Sequence, residues 1–239
     1  MKALNIIMIM WMFLTAGQSL AQENDETKKA NARIAQWNVD HKIRVYQAAL
    51  GINDIVAAKN ALLDILVEIP KNDSLLFELG KIYFQLKQYS SSAICAQEVL
   101  KSYPGNLGAL EMAAISYENI GANDQAATNY ELLYLKTDDF QSLYKVALLQ
   151  FDLERYIESY NNLTILSQRK EADEIQIPSI TVNNLQKNYP VKVVILNLMG
   201  MIKKENGEIE EAKKLFNEAL KIAPDIASVK ENLDDLNKK

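Results

Sequence analysis

One cysteine and one histidine in 239 residues leave little material for chemistry. A single thiol, Cys95, cannot close an internal disulfide, so packing alone holds the fold even in an oxidising compartment. Nucleophile–base pairs and metal sites need such side chains close together, yet His41 and Cys95 stand far apart in the sequence. No Gly-rich phosphate loop or nucleophile elbow accompanies them. The carboxylate doublets Asp138-Asp139, Glu210-Glu211 and Asp234-Asp235 do not fill the gap. Helix neighbours point about 100° apart, so these pairs read as solvated charge. The expectation is a chain with no catalytic residue, no metal and no cofactor. His41 reads as a polar residue near a helix start. Cys95 reads as a small apolar filler, the alternative being a reactive or intermolecular thiol.

Glycine and proline are also scarce, at eight and five. Strand-rich folds need many tight turns, so this scarcity favours long helices. Hydrophobic residues at 49% and charged residues at 24% give a globular balance. The formal charge is −5, with acids and bases interspersed. Without a basic stripe the chain has no electrostatic grip on phosphate backbones, and nucleic acid is not an expected partner.

The longest apolar run, Leu4 to Leu14, follows Lys2 and gives way to Thr15–Ala21. Small Ser19 and Ala21 mark a signal-peptidase site, so residues 1–21 read as a signal peptide cleaved before Gln22. An uncleaved anchor is the alternative, but the run is shorter than the roughly 20 apolar residues a spanning helix takes. The expected location is the periplasm or envelope of a bacterium, with no stable membrane insertion after cleavage. Losing Lys2 takes the formal charge from −5 to −6.

The mature chain opens with a polar lead and N-terminal helix at 22–38, containing Ile34 and Trp37. A pattern with a period of 34 then sets in. Residues 73–106 carry Leu76, Leu79, Gly80, Tyr83, Ser92, Val99 and Pro104. Residues 107–140 carry Leu110, Ala113, Ala114, Tyr117, Gly121, Ala126, Tyr130 and Leu133. Residues 193–226 carry Leu196, Met199, Gly200, Gly207, Ala212, Phe216, Ala219 and Pro224. Two weaker units flank these. Unit 39–72 keeps Ala49, Ala58, Leu62, Ile65 and Pro70. Unit 141–166 aligns Tyr144, Ala147, Leu148 and Phe151, is one residue short before Tyr156, and resumes with Ser159, Leu163 and Leu166.

Two antiparallel helices of about 12 residues cannot bury an apolar face alone, so successive pairs must stack. Gly80, Ala114 and Gly200 on first helices, with Ser92, Ala126 and Ala212 on second helices, allow close backbone approach. A larger side chain at Gly200 is expected to overpack that contact. Pro104 and Pro224 end second helices. Ile226, Val229, Leu233 and Leu236 give residues 227–239 one apolar face, the mark of a capping helix.

These offsets resemble the tetratricopeptide repeat family over most of 39–236. The resemblance implies an all-α solenoid of antiparallel helix pairs wound into a right-handed superhelix. Three departures stand out: Lys42 and Tyr46 replace an apolar and a small residue, and Lys203 stands where an aromatic is usual. The resemblance further implies that first helices line a groove for an extended or helical segment of a protein or peptide partner. Alignment places Phe77, Lys81, Phe84, Glu111, Met112, Ile115, Lys145, Leu149, Asp152, Asn197 and Met201 along it, though several of these positions could instead pack between units. The basic clamp known from some family members is not reproduced. The expected function is an exported protein-binding adaptor, the alternative being a structural subunit of an envelope assembly.

Residues 167–192 break the period. Ile175, Ile177, Ile180 and Val182 are β-branched, Pro178 forbids a helix interior, and Asn183-Asn184 suits a turn. A short extended hairpin or structured loop is expected near 170–190, acting either as a lip over the groove or as a neutral insertion on the solenoid edge. Asn162-Leu163-Thr164 matches a glycosylation acceptor but falls inside an expected helix.

Overall fold

The computed structural model describes residues 25–70 and 72–238 in full, and residues 2–24 as helical backbone. The side chains of the leader at 1–21 and of its cleavage site before Gln22 lie outside the described residues. Among the described residues no helix is long and apolar enough to cross a membrane. The chain divides into two compact units, Met1–Ile82 and Tyr83–Lys239.

In the first unit α1 (Lys2–Gly51) packs on α2 (Ile55–Glu68). Helix α1 continues without a break across the expected boundary at 38–39, so the first helix of unit 39–72 is the end of one long helix. Ala49, Ala58, Ala61, Leu62 and Ile65 are buried here. The departures noted in this pair find physical roles. Lys42 reaches along α2 to the carboxylate of Glu68 at 2.8 Å and the Asp64 carbonyl at 3.3 Å. Half-buried Tyr46 has its phenol raised above its ordinary value by desolvation, with the charge of Glu78 adding to this.

Helix α3 (Asp73–Gln85) contains the boundary between units. The second unit is a succession of helix pairs: α4 (Tyr89–Ser102), α5 (Leu107–Asn119) with α6 (Asn123–Thr137), α7 (Phe140–Asp152) with α8 (Tyr156–Ser167), and α10 (Val191–Glu205) with α11 (Ile209–Ile222). Helix α12 (Ala227–Asn237) closes it, burying Ile226, Val229 and Leu236 against Phe216, Ala219 and Ala223. The sequence of packed neighbours runs α4, α5, α6, α7, α8, α10, α11, α12, which is the solenoid arrangement expected of pairs that cannot bury their faces alone.

One turn joins the two helices of every pair. Asn53, Lys87, Gly121, Glu154 and Gly207 have φ of 59°, 57°, 73°, 59° and 79°, the left-handed region that only glycine enters without strain. Each donates its N–H to the carbonyl three residues back, and the next residue donates to the carbonyl five back, as in Ala122 to Tyr117 at 2.9 Å. This is the Schellman end of a helix. Three first helices, α3, α5 and α7, start on Asx caps: Asn72, Asn106 and Asp139 accept from Leu75, Ala109 and Ser142 N–H groups at 3.1, 3.0 and 2.8 Å.

Both markers correct the register of the fourth unit. Asp139 follows Asn106 by 33 residues, and Glu154 follows Gly121 by 33. The missing residue therefore lies in the α6–α7 connection, ahead of α7 rather than just before Tyr156. The inward residues of α7 are Leu143, Val146, Ala147 and Gln150, at most 2% exposed, while Tyr144, Leu148 and Phe151 are half-buried. Arg169 braces this shortened connection through the Asp138 carbonyl at 3.0 Å and its carboxylate at 2.5 Å.

The insertion contains a one-turn helix α9 (Glu171–Glu174) and an antiparallel hairpin, β1 (Gln176–Ile180) with β2 (Gln186–Pro190), in the register Ile177↔Tyr189 and Ile180↔Gln186. Asn184 takes φ 58° in the turn. The hairpin is sewn to the α11–α12 connection. Thr181 bridges Ile226, Val182 N–H donates to the Asp225 carbonyl at 2.9 Å, and the Tyr189 hydroxyl donates to Asp225 Oδ1 at 2.7 Å. Tyr189 is 3% exposed and belongs to the core around Phe216.

Candidate protein-binding face

The shared turn gives a ruler for the first helices. Counting back ten, six and three residues from each left-handed residue locates the same face every time. On α5 this gives Glu111, Ile115 and Glu118, and on α10 it gives Asn197, Met201 and Lys204. On α7 it gives Tyr144, Leu148 and Phe151, not Lys145, Leu149 and Asp152. On α3 it gives Phe77, Lys81 and Phe84, as expected.

The structure sorts the expected groove residues into three groups. Met112 and Leu149 are buried, at 6% and 5% exposure, and Leu149 packs with Ala114, Ala126 and Tyr130. These two residues are core, so neither offers a side chain to a ligand. Others are engaged internally. Lys145 pairs with Glu118 at 2.6 Å, and Asn197 accepts from Asn232 of α12 at 2.9 Å while its own amide approaches Met201 Sδ at 3.8 Å. In the first unit the Lys81 ammonium lies 5.5 Å from the Phe77 ring centroid and pairs with Glu78 at 2.6 Å. In the second, Phe84 meets Tyr89 edge-on at 5.6 Å. Glu111 and Asp152 are exposed, and Ile115 and Met201 are half-buried.

Tyr144, Leu148 and Phe151 were not legible as face residues because the alignment was one position out. They pack on the cluster of Phe140, Leu143, Ala147, Leu163 and Ile195, as Met201 does. Ile115 packs on the neighbouring cluster around Ala114 and Tyr130. The rings are ordered by neighbours: Phe140 and Tyr144 stack at 6.3 Å, and Phe151 lies 5.7 Å from Tyr156. The signal that could have found them is the spacing of Asn106 and Asp139, 33 rather than 34.

Glu118 is the electrostatic pivot of this face. It accepts from the Tyr130 hydroxyl at 2.7 Å and pairs with Lys145, tying α5 to both α6 and α7. Burial, reinforced by that hydrogen bond, pushes the Tyr130 phenol far above its ordinary value. Lys203, the departure on α10, lies 4.8 Å from the Tyr160 ring centroid and pairs with Glu208 at 2.6 Å. It replaces an aromatic contact by a cation over an aromatic face. Elsewhere, Gln97, Tyr117, Asp124, Gln125, Thr128 and Asn129 line an open polar depression of about 340 Å³. Cys95 is 5% exposed, and burial pushes its thiol up to about 11, which suits a filler rather than a nucleophile. Among the described residues no cluster of metal-ligating side chains forms.

Comparison with known proteins places this geometry. The tetratricopeptide repeat family model matches residues 74–106 and, separately, residues 193–226. A tetratricopeptide repeat protein of Parabacteroides merdae is similar in structure, with a TM-score of 0.54 at 20% identity, over 83% of this chain and 72% of that one. MamA from Desulfovibrio magneticus is similar at a TM-score of 0.53 and 12% identity, over 78% of this chain and 96% of that one. The signal recognition particle receptor FtsY of Aquifex aeolicus is 26% identical over 172 residues, 68% of this chain; the chain spans about a third of that relative's length. With two units matched directly and the pairs stacked as observed, the chain carries tetratricopeptide repeats and has the fold of proteins built from them.

Proposed function

We propose that the protein is an exported adaptor, periplasmic or envelope-associated in a bacterium, that holds an extended or helical segment of a partner protein along its first-helix face. Repeat proteins of this fold are protein-interaction scaffolds and are generally non-catalytic. The observation that carries the reading is the half-buried strip Tyr144, Leu148 and Phe151 on α7, with Ile115 on α5 and Met201 on α10. Ordered aromatic and thioether groups of this kind offer adaptable apolar contact at low entropic cost. Exposed Glu111 and Asp152 supply polar margins that orient a segment.

Photo-crosslinking in the native cell tests this. Crosslinkers at Ile115, Leu148 and Met201 are expected to trap one partner, whereas the same group at Ile94 or Leu135, 64% and 71% exposed on second helices, traps none. Equal adducts from both sets would remove the groove from the reading. The second reading, a structural subunit of an envelope assembly, draws on the hairpin tip, where Ile180, Val182 and Leu185 are 51%, 46% and 65% exposed. A stoichiometric adduct from Leu185 alone selects it. Export is checked separately by the intact mass of the secreted chain, expected to begin at Gln22.

A further inference from the structure

Helix α1 leaves one face without a partner. Every residue from Asp25 to Trp37 is exposed, and from there to Ala49 the covered positions are Asn38, Val39, Lys42, Ile43, Tyr46 and Ala49. Ala30, Ile34, Trp37 and His41 recur at spacings of four, three and four. At about 100° per residue they form a line on the side of the helix turned away from Val39, Ile43 and Tyr46. Ile34 and Trp37 are 59% and 60% exposed, and the Trp37 ring stacks on His41 at 5.5 Å. Apolar residues at alternating three and four spacing make the seam of a coiled coil.

The charges beside this seam say what covers it. Arg33 and Asp40 lie two turns apart on one flank, and among the described residues neither pairs with an opposite charge on its own helix; Asp40 accepts the Gln36 amide at 2.9 Å. We propose that the face pairs with the same face of a second copy of the chain, as an antiparallel two-helix seam. With the two-fold axis between Ala35 and Gln36, Ile34 meets the second copy's Trp37, and Ala30 meets its His41. Each layer then sets a smaller side chain against a larger one. Arg33 lies beside the second copy's Asp40, and Asp40 beside its Arg33, so the patch is charge-complementary to itself, as a two-fold interface requires. A parallel arrangement would set Trp37 on Trp37 and Ala30 on Ala30, and would place Arg33 beside Asn38 and Asp40 beside Val45.

Sedimentation of the full chain tests the pairing. The chain is expected to sediment as a dimer that dissociates on dilution. Asp40→Arg brings like charges together and is expected to yield monomer, and adding Arg33→Asp is expected to restore the dimer. The face points away from α2, so at dilutions where the parent is itself monomeric the circular dichroism melting curve of each variant should match the parent's, separating lost pairing from lost folding. Orientation is read by oxidation: Ile34→Cys mixed with Trp37→Cys should form a disulfide in higher yield than either variant alone. Buried Cys95 does not compete. A chain that stays monomeric, a dimer unmoved by Trp37→Asp and Asp40→Arg, or a monomer that instead binds anionic vesicles through α1 would each overturn the proposal.

Discussion

The α7–α8 and α10–α11 pairs occupy equivalent places in the second unit and solve the same packing problem with opposite allocations of volume. Position by position, Ala147 corresponds to Gly200, Leu163 to Phe216, Gln150 to Lys203 and Glu154 to Gly207. In α10–α11 the first helix gives up its last methyl, and the second fills the space with a ring. A Cβ built on Gly200 would sit 2.5 Å from Phe216 Cε1. In α7–α8 an alanine faces a leucine, both fully buried. A repeat therefore specifies a summed volume at the helix contact rather than a residue at each position. The residue one turn later follows the same logic. Gln150 is buried and accepts from Asn162 at 2.8 Å, whereas Lys203 reaches out to Tyr160 and Glu208.

The largest way to break the comparison is Phe216→Ala. It empties the core shared by α10, α11, α12 and the hairpin, and is expected to cost about 3–5 kcal/mol in denaturant unfolding. Next comes exchange of the two solutions. Gly200→Leu should cost about 1–3 kcal/mol or more. Leu163→Phe should cost an amount in the same range, with Ala147→Gly recovering part of it. The coupling in that double-mutant cycle is the test, because strict additivity would deny that the two positions share one space. A smaller effect is expected at the turns. Glu154→Gly should raise stability by up to about 1 kcal/mol, since a left-handed conformation penalises a side chain, and Gly207→Glu should lower it by a similar amount.

The smallest expected effect is one of pH and is read at the hairpin carried by α10–α11. Burial, with the hydrogen bond to Asp225, raises Tyr189 to about 12, while the Tyr189 hydroxyl and then Lys187 hold Asp225 below its ordinary range. The raised tyrosine contributes stability that is fully present below its ordinary value near 10 and is lost as pH rises through about 12. The depressed carboxylate contributes stability that is present above the ordinary aspartate range and is lost as pH falls below it. Amide exchange at Val182, whose N–H is held by the Asp225 carbonyl, should quicken at both extremes relative to backbone amides in α5–α6. Tyr189→Phe should abolish the alkaline limb and shrink the acid limb to what Lys187 sustains.

Much of the fold was legible because its determinants are local and periodic. The 34-residue spacing, the breaks at Pro104 and Pro224, the apolar face of α12 and the β-branched run ahead of Asn183-Asn184 each announce an element. The candidate face was legible only where the period held. On α3 and α10 the ruler of the turns agrees with the alignment, and on α5 it keeps Glu111 and Ile115 but not the buried Met112; on α7 the single lost residue moved every side chain by about 100° and hid Tyr144, Leu148 and Phe151. The turns were partly hidden too. Gly121 and Gly207 mark themselves, while Asn53, Lys87 and Glu154 hold the same conformation without the residue that favours it.

By itself the amino-acid sequence determined the element type, the pairing of helices and the repeat family, since these follow from spacing and from short-range steric rules along the chain. Only the tertiary structure decided which face α7 presents, that Met112 and Leu149 are core, and that the hairpin is fastened through Asp225. It also showed that Phe216 occupies the space Gly200 vacates. Those outcomes depend on contacts between residues tens of positions apart, where one missing residue or one exchanged volume is settled by packing rather than by pattern.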